Sequence, residues 1–551
     1  MKKLTTIKSA VLVLAFTGLS RTINAQTPFM IKDINSGSSN SDITGLTNFN
    51  GLVFFRANDG VNGFELWKTD GTPGGTAMFK DINPGGPNSN PANFCDANGT
   101  LYFTANLTPS NNQNQLWKSD GTPGGTVFVK DSVIAQSSCS NNYFFTNVNG
   151  TLFFVATDAA HGAELWKSDG TTAGTVMVKD IRPGTADGGV SNLMNLNGKL
   201  VFSANDGNSQ QGLWTSDGTP GGTVYDTLLS ISLCHDGYFT NLNNSLYFTA
   251  AYTSGLELWK SDGTGAGTSQ ITDINPGSSS ADPLWTINLG GTLYFQADDG
   301  TNGIELWKSD GTGPGTTLVK NINTGVSASN PKYFTNVNGA LFFVASDGAA
   351  GQELWKSDGT SGGTVLVKNL GSGSLSIDKL AAVNGTIFFR GNDGINGREF
   401  WESDGTAAGT ILHDINPTST AGYPNSCFPN SVNGEMFASY NNLVIFQADD
   451  GVHGVELWAE TVAAVGIRTF EKGNSYVTCY PNPTNGTFVV KSENVQPNTV
   501  IKISDISGKI IHTTQLKETT QMIDLGTVSK GMYFLEVNSS QGLMTQKIIV
   551  E

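Results

Sequence analysis

The residues best suited to chemistry are carboxylates and amides that recur together. Asp59, Asn62 and Glu65 are followed by Asp299, Asn302 and Glu305, then by Asp393, Asn396 and Glu399, in one oxygen-rich pattern. Calcium takes about six to eight such oxygens, so Asp59, Asn62, Asp299, Asn302, Asp393 and Asn396 are candidate ligands in calcium-stiffened loops. The spacing is not that of an EF-hand, and Asp-Gly makes a turn without any ion, so the plainer expectation is no cofactor. The five histidines form no HExxH pair, and His161 and His453 stand where other copies of the pattern carry Asn62, Asn302 and Asn396. They read as loop residues. The string Gly359-Thr360-Ser361-Gly362-Gly363 spells GxSxG, but a nucleophilic serine needs a strand-to-helix elbow, and other copies carry Pro73, Thr172 or Pro220 there. No catalytic set is expected.

These residues are positioned by a repeat. The phrase ELWKSDGT or a variant returns with its tryptophan at Trp67, Trp117, Trp166, Trp214, Trp259, Trp307, Trp355, Trp401 and Trp458, at intervals of 45 to 57 residues. That period suits a four-stranded propeller blade and is too long for leucine-rich or ankyrin units. Within residues 143–181 the strands read YFFTNV, TLFFVATD, ELWKS and VMVKDI. Asn149-Gly150 between the first two is a two-residue hairpin in which both positions take positive φ. The nine copies share this site: seven as Asn-Gly, one as Asn243-Asn244 and one as Gly290-Gly291, the last copy supplying Asn433-Gly434.

The ninth copy stops at ELWAE without a fourth strand, and FMIKDI at residues 29–34 matches the fourth strands found elsewhere. An N-terminal strand that completes the last blade closes a ring and leaves no sheet edge exposed. The expected fold is therefore all-β: a β-propeller of nine four-stranded blades over 26–460, an open superhelix being the rival. The nine tryptophans could stack on sugars, but their presence in every copy favours packing between blades. The Glu and Lys of ELWK are read as blade-to-blade or solvent pairs.

ELWKSDGT at 164–171, 257–264, 305–312 and 353–360 resembles the bacterial ELWxxDGT repeat family, a resemblance that covers about 27–459 and implies no reaction or ligand. The departures are QLW at Gln115, GLW at Gly212 and EFW at Glu399–Trp401.

Past a linker at 461–473, the segment 474–551 alternates apolar residues with Pro, Asn and Gly turns over roughly seven strands, the pattern of a small immunoglobulin-like β-sandwich. YPNPTNG (Tyr480, Pro481, Asn482, Pro483 and Gly486), DISGK (Gly508 and Lys509), LGTVSKGMYFLEV (Gly531) and a terminal KIIVE resemble the type A sorting domain of type IX secretion. That resemblance implies the type IX machinery as partner, and a cargo released or held on the outer surface of a Gram-negative-type cell.

At the other end, Lys2, Lys3 and Lys8 precede an apolar stretch, Ala10 to Leu19, and the small residue Ala25, so 1–25 reads as a secretory signal peptide. No stretch reaches the roughly 18 apolar residues of a membrane span in the mature chain. A net charge of -16 argues against nucleic acid or an anionic lipid surface. Cys95, Cys139, Cys234, Cys427 and Cys479 lie far apart with no CxxC pair, and their odd number excludes complete pairing.

The copies differ most in the connections that lead from one blade to the next and from second to third strand. These share one face of a propeller, and recognition resides on such loops. A non-catalytic binding protein for a polysaccharide or another protein is the expectation. A propeller enzyme acting on glycans and a structural envelope component are the alternatives.

Overall fold

The computed structural model describes residues 27–550 apart from 108–113, 132, 135–144, 209–210, 228–229, 232–238, 252–254, 350, 371–375, 418–436, 463–476, 481–483, 493–498, 506–509, 527 and 540–541. The chain divides into two units, Met1–Val462 and Ala463–Glu551. Residues 1–25, read as a signal peptide, lie outside the described residues, as does most of the linker.

The first unit begins with β1 (Phe29–Lys32), β2 (Thr44–Phe49), β3 (Leu52–Asn58), β4 (Phe64–Thr69) and β5 (Ala77–Lys80). Strands β2 to β5 form an antiparallel sheet in chain order, with Phe55 opposite Trp67 and Trp67 opposite Met78. Among the described residues, nine sheets of four or five strands follow this plan, one around each repeat tryptophan. The fold is an all-β propeller, with a single 3₁₀ turn, Gly265–Gly267, as the helical element described.

Second strands such as β3 carry a continuous apolar run because both faces are covered; Val53, Phe54 and Phe55 are all fully buried. Phe54, Leu66 and Phe79 pack against Phe103 and Trp117 of the next sheet, and this arrangement recurs from sheet to sheet. The last cluster brings Ile31, Ile445 and Leu457 of the Trp458 sheet against Val53, Phe55 and Trp67 of the first. There β1 is the outer strand, pairing Met30 with Trp458 and Lys32 with Leu457. Eight of the repeat tryptophans are buried and Trp458 is half-buried.

One expectation needs correction. In the ninth sheet, Tyr440 pairs with Leu443, so the hairpin turns at Asn441-Asn442 and not at Asn433-Gly434, which lies outside the described residues. Asn441 takes φ +52, the left-handed conformation that Asn tolerates and a tight turn requires. The connection that leaves the Trp117 sheet also carries a short strand, Val133–Ile134, which pairs with Thr157 and Ala156.

The motif SDGTxxGT is a turn closed by its own side chains. Asp120 Oδ1 accepts the Thr122 N–H (2.8 Å) and hydroxyl (2.8 Å), the Thr122 hydroxyl oxygen accepts Gly125 N–H (2.9 Å), and Thr126 Oγ1 meets Ser119 Oγ at 2.7 Å. These bonds hold the Asp120 carboxyl below its ordinary range, the Thr122 hydroxyl contributing most. A Cβ on Gly125 would stand 2.1 Å from Asp120 Oδ1. Gly125→Ala is therefore expected to break this turn and cost about 1–3 kcal/mol, measured by urea unfolding; an unchanged midpoint would contradict the network.

The lysines of the motif do cross between sheets. Lys167, Lys260, Lys308 and Lys356 donate to the carbonyls of Gly218, Gly311, Gly359 and Gly405 in the next sheet's turn. Fourth-strand lysines do the same: Lys32, Lys130, Lys179, Lys320 and Lys368 reach Thr76, Thr175, Thr223, Thr364 and Thr410. The glutamates do not cross, which corrects their reading as blade-to-blade or solvent pairs. Glu65 is fully buried and accepts Ile82 N–H (2.6 Å), Ser89 N–H (3.1 Å) and Ser89 Oγ–H (2.7 Å), clamping its own sheet's outgoing connection.

In the second unit Val477–Tyr480, Thr487–Ser492 and Thr520–Asp524 form one sheet, and Ile510–Gln515, Val500–Asp505, Gly531–Ser539 and Gly542–Val550 another. Phe488, Val490, Ile501, Ile503, Leu535 and Ile548 form the core between them. Burial pushes the Cys479 thiol up to about 12 and that of Cys95, in the first unit, to about 11; both described cysteines are free and neither is poised to react.

Candidate functional site

The two variable sets of connections lie together at one end of the sheets. Phe64 N–H donates to Asn88 Oδ1 (2.9 Å), Ala163 N–H to Asp187 Oδ1 (2.8 Å) and Val455 N–H to Asn40 Oδ1 (2.9 Å), each bond joining a second-to-third-strand loop to a sheet-to-sheet connection. The short turns gather at the other end, where Asn50 Nδ2 donates to Asp120 O at 3.3 Å.

At the loop-bearing end, first strands carry a register shift. It falls between Thr44 and Thr47, Ala92 and Cys95, Ser191 and Met194, Leu284 and Ile287, Lys332 and Thr335, and Asp378 and Leu380. A residue at each shift takes positive φ: Gly45 (+71), Asn93 (+56), Asn192 (+54), Trp285 (+58), Tyr333 (+57) and Lys379 (+46). Glycine and asparagine accept this conformation, whereas a bulky side chain pays about 1–3 kcal/mol for it. The three consecutive sheets that carry Trp285, Tyr333 and Lys379 thus depart from the chain's own solution.

Trp285 and Tyr333 are half-buried, their rings 5.0 Å apart at 68°, and Lys332 Nζ lies 5.1 Å from the Tyr333 ring centre. First strands of neighbouring sheets pack against one another here, and in a propeller such strands line the axial channel. The pair therefore presents aromatic surface beside the variable loops. Trp285 lies outside the repeated motif and was not among the candidates that the sequence singled out. Its signal was available: ten tryptophans, of which nine belong to the repeat.

The residues singled out as calcium candidates close their own loops. Asp59 Oδ1 accepts the N–H of Val61 and Asn62, and Asn62 Nδ2 donates to Asp59 Oδ2 at 2.7 Å. Asp299 with Asn302 and Asp393 with Asn396 repeat this bond at 2.7 Å. His161 and His453 fill the asparagine's role, their Nδ1 atoms 2.8 Å from Asp158 and Asp450. Ser361 sits in a third-to-fourth-strand turn, not on an elbow.

One buried cluster breaks the repeat. Glu402 and His413 belong to the Trp401 sheet and Glu460 to the Trp458 sheet, and all three are buried. His413 Nε2 stands 3.4 Å from Glu402 Oε1 and 3.6 Å from Glu460 Oε1. Burial first, then the neighbouring Glu402 carboxylate, pushes the Glu460 carboxyl far above its ordinary range. The sequence signal was EFWES and ELWAE where four copies read ELWKS.

In the second unit Tyr480 is exposed at the end of its strand, the Gly486 carbonyl accepts Leu525 N–H (3.0 Å), and Gly531 opens the strand Gly531–Ser539. Pro481, Asn482, Pro483, Gly508 and Lys509 lie outside the described residues. Residues 478–551 match the secretion system C-terminal sorting domain. The chain is thus a secreted or cell-surface protein whose tail engages the type IX machinery. No helix among the described residues is long and apolar enough to cross a membrane.

No curated protein matches the chain. Among solved structures it is similar to PorZ, a surface component of the type-IX secretion system of Porphyromonas gingivalis, at 11% identity over 92% of this chain and 75% of that one, TM-score 0.34. It is also similar to the β-propeller domain of the Trilobed protease from Pyrococcus furiosus (10% identity, 59% and 97% covered, TM-score 0.31). The extracellular domain of the putative one component system BT4673 from B. thetaiotaomicron gives 11% identity, 91% and 72% covered, TM-score 0.32. The fold assignment rests on the strand pairing described above.

Proposed function

We propose that this chain is a non-catalytic binding protein, delivered to the cell surface or medium, that takes a polysaccharide at the loop-bearing end of its inner strands. In this reading 1–25 is removed as a signal peptide and the ELWxxDGT-type repeats of 26–460 form a closed ring of nine blades. The order of the hydrophobic clusters and the pairing of β1 with Val455–Thr461 support that closure. The observation that carries the ligand class is the Trp285–Tyr333 pair, two adjacent aromatics at φ +58 and +57 where three other sheets place Gly45, Asn93 and Asn192. Strain retained at a surface site points to use, and an aromatic face suits a pyranose ring.

The test is a glycan array probed with the full chain and with Trp285→Asn. Asparagine relieves the backbone, so the variant is expected to be more stable by about 1 kcal/mol yet to bind at least about 10-fold more weakly. Wild type that captures no glycan would remove the polysaccharide reading in favour of a protein ligand or a structural envelope role. Turnover of chromogenic glycosides would overturn the non-catalytic one.

A further inference from the structure

The Glu402–His413–Glu460 cluster stands where the repeat loses its own ties. In six sheets the third strand carries a lysine before its final serine or threonine, and in four of them that lysine donates to the next sheet's turn, as Lys356 Nζ does to Gly405 O at 2.8 Å. A fourth-strand lysine adds a second tie, as Lys368 Nζ does to Thr410 O at 2.6 Å. The ninth sheet has no third-to-fourth-strand turn, because its fourth strand is β1 from the other end of the chain. Its neighbour changes accordingly. Glu402 occupies the third-strand lysine position, and His413, paired with Phe400, occupies the fourth-strand one. Glu460 replaces the serine that ends other third strands, such as Ser357 and Ser403. Three substitutions on two strands of one sheet and one strand of the next thus converge.

What they form is not a finished hydrogen-bond network. Glu402 Oε1, His413 Nε2 and Glu460 Oε2 are buried without a hydrogen-bond partner, on residues only 4%, 8% and 1% exposed. Two carboxylates and an imidazole enclosed together carry a large desolvation cost unless opposite charge offsets it. One ligand atom from each residue falls within 4.8 Å of the others. A tetrahedral ion with bonds of about 2.1 Å separates its ligands by about 3.4 Å; the Nε2–Oε1 distances here are 3.4 and 3.6 Å. An imidazole with two carboxylates suits borderline transition ions, and the nitrogen disfavours magnesium or calcium.

We propose that Glu402, His413 and Glu460 bind one divalent transition-metal ion of the zinc class, which ties the last two sheets of the propeller where the repeat's lysine ties are missing. A water completes the fourth position. The two carboxylates neutralise the ion's charge, and any proton they hold is released as it binds.

The full chain, stripped with chelator and dialysed against Zn²⁺ or Co²⁺, tests this. Wild type is expected to retain one ion per chain by elemental analysis, to show cobalt d–d absorption, and to melt a few degrees higher with metal present at about 100-fold above its Kd. Glu460→Ser restores the serine that most copies carry, and His413→Gln keeps a neutral polar side chain; each should bind at least about 10-fold more weakly and lose the metal-dependent rise in Tm while keeping wild-type circular dichroism. Metal-free wild type with no Tm response would overturn the proposal and leave the cluster as carboxylates sharing a proton. A folded Glu460→Ser chain that retains the full equivalent would overturn it by placing the ion elsewhere. Should either variant misfold, the wild-type stoichiometry and cobalt spectrum decide alone.

Discussion

Deleting residues 29–34 from the secreted chain is expected to abolish cooperative unfolding of the propeller and to drive association. Ile31 and Ile34 are 2% and 6% exposed and join Val53, Phe55 and Trp67 of the first sheet to Ile445 and Leu457 of the last. Their burial stabilises the fold by about 2–3 kcal/mol each. Ile34 N–H also donates to Glu456 Oε2 at 2.7 Å, so the deletion strands a fully buried carboxylate, for about 1–3 kcal/mol more. The sum rivals the whole stability of an ordinary domain, about 5–15 kcal/mol. Val455–Thr461 would be left as an open sheet edge, a template for intermolecular pairing. Urea unfolding and size-exclusion chromatography read both effects. Ile31→Ala is the graded version, at about 2–4 kcal/mol. A deleted chain that stays monomeric with an unchanged midpoint would mean that β1 does not close the ring.

The second large effect concerns the repeat glutamates. Glu65→Ala leaves Ile82 N–H, Ser89 N–H and the Ser89 hydroxyl without their acceptor inside the protein, a loss of about 3–5 kcal/mol. The same carboxylates impose a pH dependence. Burial raises Glu65, Glu164, Glu257, Glu353, Glu399 and Glu456 from an ordinary 4.5 to about 7, in spite of the N–H groups that most of them accept. A pKa raised on folding means that the folded state holds the proton more tightly. The contribution is therefore fully present below about pH 4.5 and is lost as pH rises through about 7. The urea midpoint should fall between pH 5 and pH 8, and Glu65→Gln should flatten that slope. Stability that rises over the same interval would show the clamps to be ionised throughout.

Much of the architecture is legible because the repeat writes the same local chemistry copy after copy. In DGTxxGT, Asp120 bonds Thr122 and Thr122 bonds Gly125, contacts two and three residues apart that need no distant partner. Asn-Gly hairpins are legible for the same reason. The exception is instructive: the last copy offered Asn433-Gly434, but the described strands turn at Asn441-Asn442, where pairing with the third strand puts Leu443 opposite Thr461. Register across the sheet decided between two acceptable turns.

The repeated buried glutamate was visible as a pattern and its role was not, because its donors lie 17 and 24 residues on, in connections whose sequences vary. By itself the sequence determined the strands, their tight turns, the period that builds a propeller and the sorting tail, since each is carried by neighbours within a few residues or by a motif repeated intact. Only the tertiary structure decided that Trp285 and Tyr333 meet on adjacent inner strands, and that Glu402, His413 and Glu460 share one buried point. Those contacts join different sheets, and they follow from how neighbouring sheets pack; no rule of local spacing relates residues 402 and 460.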